Sequence, residues 1–118
     1  MPLNTQSITY KLDMSTIGNR VVIPVAQFSL LSLQLEGTGV AWSAGVITMK
    51  RGNNGLAEFA TWEAGAVTFA ATGFYPATGV YNVAGFSHVS LEVTTIEAAL
   101  TVIIHSYAND SLAFTKAL

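Results

Sequence analysis

The sequence has no cysteine, three prolines and few charged residues. Without cysteine, disulfide bonds, thiolate nucleophiles and sulfur-bound metals are excluded. Only 10% of the 118 residues are charged, whereas 51% are hydrophobic, and a soluble domain usually carries about 25% charged residues. A domain of this size has limited interior volume, so the composition predicts that copies of the chain or another protein cover much of its outer surface.

The scarcity of basic residues and of long apolar runs argues against two classes of partner. Five basic residues stand against seven acidic ones, and only Lys50 and Arg51 are adjacent. Nucleic-acid binding needs a dense field of Lys and Arg, and a bilayer span needs about 20 apolar residues in a row. We therefore expect no nucleic-acid and no membrane partner. Residues 1–6 show neither the basic nor the apolar segment of a secretory signal, which predicts synthesis in a cytoplasm.

Short stretches in which apolar and polar residues alternate fill most of the chain. Leu31, Leu33 and Leu35 share one face of a predicted strand, for example, and Ser32 and Gln34 share the other. Turn residues separate these stretches, which is typical of a sandwich or a barrel. We predict one all-β domain over residues 1–118, an antiparallel two-sheet β-sandwich with jelly-roll-like connections and about eight or nine strands. The predicted strands are Gln6–Leu12, Arg20–Ile23, Ser29–Leu35, Ala44–Arg51, Glu58–Trp62, Ala66–Ala70, Gly79–Val83, Ser87–Thr95 and Ala98–Tyr107.

Glycine-rich and terminal segments define the expected turns and tails. Gly37–Gly39 and the dipeptide Asn54-Gly55 predict hairpin turns, and Gly73–Ala77 predicts an aromatic loop. We expect residues 1–5 to form a flexible arm and residues 108–118 to form a C-terminal tail. The tail contains several apolar residues, so it should pack on its own subunit or on a neighbouring one.

The last predicted strand is apolar on both faces. Ile103, His105 and Tyr107 share one face, and Val102 and Ile104 lie on the other. A strand of a two-layer sandwich buries one face against the opposite sheet. The second face should therefore be covered either by another subunit or by the C-terminal tail.

Constellations typical of catalysis or metal binding are missing from the sequence. His88 and His105 both lie in predicted strands and lack the spacing of a zinc site, which needs about three convergent ligands. No serine lies in a Gly-x-Ser-x-Gly motif, and Gly37–Gly39 lacks the lysine of a phosphate-binding loop. We expect no catalytic residue, no bound metal and no cofactor, and hence no enzymatic activity.

Aromatic residues near turns are the better functional candidates. Trp62, Phe74 and Tyr75 lie close to predicted turns. Such rings stack on sugars in carbohydrate-binding sandwiches, anchor subunit interfaces, or plug the ends of the core, and all three roles stay open here. The residues that we predict for an interface are Trp62, Phe74, Tyr75, Ile103, His105, Tyr107 and Phe114.

Two blocks of the chain form a recognisable pattern of strands and glycine turns. The first block comprises Leu31–Gly39, Trp42-Ser43, Val46–Arg51 and Asn53–Gly55, and the second comprises Gly79–Gly85, Phe86–Thr95 and Ala98–His105. Together they resemble small virion proteins of tailed bacteriophages. The resemblance implies a jelly-roll-like β-sandwich that acts as a capsid decoration (cement) protein, a head-fibre base or a tail component, often as a trimer. The chain has no shaft repeat or receptor-binding extension, which favours decoration.

The leading expectation is a non-enzymatic, homotrimeric decoration protein on the capsid exterior, synthesised in the host cytoplasm. It would stabilise the shell by bridging major capsid subunits. The alternative is a tail or head-fibre module that binds host glycans through Trp62, Phe74 or Tyr75. A third hypothesis is a carbohydrate-binding or toxin-like β-sandwich from outside a virus.

Overall fold

Ten strands form the part of the chain that is described by the computed structural model, namely residues 4–53, 59–60, 67–76 and 80–110. No helix in these ranges is long and apolar enough to cross a membrane. The strands are β1 (Thr5–Asp13), β2 (Arg20–Pro24), β3 (Leu30–Thr38), β4 (Val46–Gly52), β5 (Phe59–Ala60), β6 (Val67–Phe69), β7 (Gly73–Tyr75), β8 (Tyr81–Asn82), β9 (His88–Thr95) and β10 (Thr101–Asn109).

The strands form two antiparallel sheets of five strands each. In sheet A the order is β1-β10-β3, and the short strands β7 and β8 follow each other along the free edge of β3. In sheet B the order is β2-β9-β4, with β5 and β6 along the free edge of β4. The chain repeatedly crosses from one sheet to the other, which is the connectivity of a jelly roll. The predicted two-sheet, jelly-roll-like sandwich is confirmed.

The core lies between the sheets and follows the predicted alternation. Leu31, Leu33 and Leu35 of β3 are buried, and so are Val89 and Leu91 of β9. Because side chains alternate across a strand, the residues between these buried positions point to the outer faces. Burial of apolar surface stabilises the sandwich by about 25 cal/mol per Å² removed from water.

Several predicted connections differ from those of the structure. Gly37 and Thr38 belong to β3, and the chain then passes from sheet A to sheet B, so the hairpin predicted there is wrong. Gly73–Tyr75 forms strand β7, because it pairs with β3, and is not a loop. The two strands predicted around Gly65 both pair with β4. The dipeptide Asn54-Gly55 lies outside the described residues.

The first strand begins earlier, and the last strand ends later, than the sequence predicted. Thr5 pairs with Asn109, so Thr5 belongs to β1 and not to the predicted arm. Ala108 and Asn109 belong to β10 and not to the predicted tail. Residues 1–3 and 111–118, which include the rest of the arm and most of the tail, lie outside the described residues.

The carboxylate of Glu97 ties two loops together at one end of the sandwich. The backbone N–H groups of Ala44, Gly45 and Ser43 donate hydrogen bonds to it at 2.7, 2.8 and 2.9 Å. These bonds favour the ionised form and lower the pKa of Glu97 to about 2. The N–H group of Glu97 also donates to Met14 in the β1–β2 loop. Because Glu97 and the residues after it belong to this loop, β10 begins at Thr101 and not at Ala98 as predicted.

Candidate functional site

An open groove with a volume of about 370 Å³ runs across the outer face of sheet A. Side chains from β1, β10, β3 and β7 line it, and the first three of these strands are each nine residues long. The inner faces of these strands pack in the core, which holds the groove in a defined shape. We call it the sheet A groove.

One row of cross-strand neighbours spans the groove. Thr9, His105, Gln34 and Phe74 pair in that order across β1, β10, β3 and β7. Directly opposed side chains in such pairs have Cβ atoms about 4.5–5.5 Å apart. Thr9 Oγ1 and His105 Nδ1 are hydrogen-bonded at 3.2 Å, which orients the imidazole ring. Phe74 closes the row with 71% of its surface exposed.

A second row lies two residues further along β10, about 7 Å away. Ser7, Tyr107 and Ser32 pair across β1, β10 and β3, and the Tyr107 ring is exposed. Within the described ranges, the side chains of Ser7, Ser32, Gln34 and Tyr107 make no hydrogen bond to other protein groups. Their donors and acceptors are therefore available to a bound molecule.

The sheet A groove is lined by both polar and apolar groups and carries no acidic, lysine or arginine side chain among its described residues. None of the described residues that line it is acidic or basic apart from the imidazole of His105. The nearest ionisable pair flanks the groove one row away, where Lys11 and Glu36 lie on either side of Ile103. Opposite charges at this rim offset each other, so the groove offers no field of one sign to a charged ligand.

Four of the seven predicted interface residues line this groove, although they come from distant parts of the chain. They are Phe74, Tyr75, His105 and Tyr107, and Ile103 lies on the same sheet face one row away. Their role in an interface stays a prediction. Trp62 and Phe114 lie outside the described residues.

Tyr75 differs from Phe74 in what its ring contacts. Its ring packs against Phe69 of the opposite sheet, with centroids 4.6 Å apart and planes tilted by 55°. Its hydroxyl donates a hydrogen bond to the Ala71 carbonyl at 2.6 Å. Because neighbouring residues of a strand point to opposite faces, Phe74 carries the exposed ring and Tyr75 anchors β7 to the core.

The two histidines lie on different sheets. His105 is in the sheet A groove, whereas His88 lies in β9 of sheet B and forms a 2.7 Å hydrogen bond with Ser87 Oγ through Nδ1. Among the residues that the structure describes, no three His, Asp or Glu side chains are grouped so that they could hold a metal ion.

Sequence reasoning missed the polar partners of the aromatic residues. Ser7, Thr9 and Gln34 occupy outward positions of the predicted strands 6–12 and 29–35, so the alternation already placed them on an outer face. Their proximity to Phe74 and His105 depends on pairings between β1 and β10 and between β3 and β7. No local pattern in the sequence reports those pairings.

Comparisons with known proteins show a similarity of fold. No family model matches the sequence, and no curated protein does so. Among solved structures, the chain is similar to the SPBc2 prophage-derived protein YomS, with a TM-score of 0.68 and 14% sequence identity. The match covers 93% of this chain and 96% of that one. At this identity the similarity concerns the fold, so this chain shares its two-sheet β-sandwich, over nearly its whole length, with a prophage-derived protein.

Proposed function

We propose that this chain is a non-enzymatic structural protein of a bacteriophage particle and that it decorates the capsid. The observation that carries the proposal is the match, over nearly the full length of both chains, to a prophage-derived protein. Because one fold serves many functions, the surface of the molecule has to support the specific role as well.

A decoration protein acts through surface contacts and needs no reactive group. It binds the assembled shell in preference to free subunits and therefore stabilises the shell by mass action. Contacts that bridge neighbouring major capsid subunits have to break before the shell opens. Such a protein needs exposed apolar side chains on a surface that keeps its shape.

One end of the sandwich supports this role. Three loops lie at this end, and each exposes an apolar side chain: Ile17 in β1–β2, Val40 in β3–β4 and Ile96 in β9–β10. The side chain and backbone of Glu97 hydrogen-bond to both other loops and hold them together. We call this surface the loop end and propose that it docks on the capsid exterior.

Reconstitution on empty heads tests the proposal. Purified protein is mixed with heads of the source phage that lack this protein, and binding is followed by co-sedimentation. We expect saturable binding, a higher unfolding temperature of the shell, and loss of both when Ile17→Ser and Ile96→Ser are combined. Val80→Ser, which changes an exposed valine away from the loop end, is the matched control and should bind like the wild type.

Failure to bind heads, or equal binding by the double variant, would contradict the docking role. We also propose that the chain forms the homotrimer expected from the sequence, and light scattering after size exclusion tests this separately, because a trimer has three times the 12.5 kDa mass of the chain. A monomer in solution that still binds heads would contradict the trimer and leave the decoration role intact.

A further inference from the structure

We propose that the sheet A groove binds an uncharged saccharide. The inference does not depend on the capsid role, because the groove and the loop end use different residues. It rests on the chemistry, the geometry and the rigidity of the groove.

The lining selects the chemical class of the ligand. Gln34, Ser7 and Ser32 offer an amide and two hydroxyls without partners among the described residues. A purely apolar ligand would remove these groups from water without replacing their hydrogen bonds, which is unfavourable. An ion would find no opposite charge. A saccharide has many hydroxyl groups and an apolar C–H face. It can therefore form hydrogen bonds with the polar side chains and pack against the aromatic rings of the lining.

Aromatic rings supply the apolar half of the site. Phe74 exposes 71% of its surface beside the Gln34 amide, and Tyr107 is exposed in the next row. A sugar ring can stack its C–H face on such an aromatic face while its hydroxyls reach the neighbouring polar side chains. The groove volume of about 370 Å³ lies within the range of small-molecule sites, about 300–1,000 Å³.

The site is built before a ligand arrives. His105 is oriented by its hydrogen bond to Thr9, and β10 is held to β1 by the Ser106 hydroxyl, which donates to the Ile8 carbonyl at 2.8 Å. The side chains that would contact the sugar stand on paired strands, so little backbone conformational entropy is lost on binding.

A glycan array tests the inference, followed by calorimetry on the strongest uncharged binder. The array carries uncharged hexose and N-acetylhexosamine oligosaccharides together with sialylated and sulfated ones. We expect binding to uncharged members. Phe74→Ala should weaken it about tenfold through loss of the stacking ring, and Gln34→Ala about fivefold through loss of one hydrogen-bonding group. Gln27→Ala changes an exposed glutamine outside the groove and should bind like the wild type.

Three results would overturn the inference: no binding to any uncharged glycan, binding to anionic glycans alone, or unchanged affinity in both groove variants. Measurement of the native mass distinguishes saccharide binding from an interface between copies of the chain. If Phe74→Ala dissociates an oligomer and no uncharged glycan binds the wild type, the groove is an interface between copies of the chain. Head binding is measured independently, so failure here leaves the decoration proposal standing.

Discussion

Phe69 joins the two sheets along the edge where the short strands lie, and its replacement should be among the most damaging single changes. The side chain is 1% exposed. From β6 in sheet B its ring contacts Tyr75 at 4.6 Å and Tyr81 at 6.3 Å between centroids, and both tyrosines belong to sheet A. The ring therefore fills the space between β6 in sheet B and the short strands β7 and β8 in sheet A.

The expected magnitude follows from these contacts. Truncation of a buried Phe to Ala costs about 4 kcal/mol through lost burial and a residual cavity. At about 2.1 cal/mol/K of unfolding entropy per residue, 1 kcal/mol lowers the Tm of a chain of this length by about 4 °C. We expect Phe69→Ala to lower Tm by about 16 °C. Phe69→Leu keeps most of the apolar volume but loses two ring contacts at about 0.5–1.5 kcal/mol each, which corresponds to about 4–12 °C.

Calorimetry and near-ultraviolet circular dichroism measure this loss, and Phe74→Ala is the matched control. Phe74 is the same residue type five positions away, but its ring is exposed, so its removal should change stability by about 0.5 kcal/mol or less, or about 2 °C. A Tm for Phe69→Ala within about 4 °C of the wild type would refute the reasoning. So would equal losses from the two alanine variants.

Three further predictions concern the loop end and the strand pairs. Hydrogen bonds lower the pKa of Glu97 from 4.5 to about 2, so its contribution to stability is present above pH 4.5 and lost as the pH falls towards 2. Urea titrations from pH 2 to 7 should show this dependence in the wild type and a weaker one in Glu97→Gln, in which Asp13 still has a lowered pKa. A Cβ at Gly39 would overlap the carbonyl oxygen of Ala99, whereas Gly18 has a similar positive φ and open space. Gly39→Ala should therefore lower the free energy of unfolding by about 1–3 kcal/mol more than Gly18→Ala does, and equal losses would contradict the overlap. Ser106→Ala should lower the free energy of unfolding by about 1 kcal/mol, because the buried Ser106 hydroxyl donates to a backbone carbonyl of β1. An unchanged Tm would show that this hydrogen bond does not stabilise the fold.

The two proposed functions use separate surfaces, the loop end for docking on the capsid and the sheet A groove for binding a saccharide. The loop end offers Ile17, with 64% of its surface exposed, and two further apolar side chains. The groove combines hydrogen-bonding groups with apolar surface around Phe74. A protein that docks through one end of its strands keeps the outer face of a sheet accessible, so the two proposed bindings are compatible and can be measured on the same particle.

The composition and the alternation of residues determined the fold class. The strands around Leu33 and Leu91 were predictable because the inward positions of a two-layer sandwich have to be apolar, and this requirement is written locally in the chain. The absence of cysteine and the scarcity of charge likewise narrow the functional classes, because both are properties of the composition and do not depend on how the chain folds.

Tertiary structure decided the features that depend on distant pairing. Gly73–Tyr75 is a strand because β3 supplies its hydrogen bonds, and three residues are too few to show a period of their own. Glu97 receives its hydrogen bonds from residues more than 50 positions away. In the same way, the alternation placed His105 and Gln34 on outer faces, but only the register of β10 against β3 made them neighbours in one groove. A sequence specifies which face a side chain takes, whereas the partner across the sheet is chosen by the packing of the whole chain.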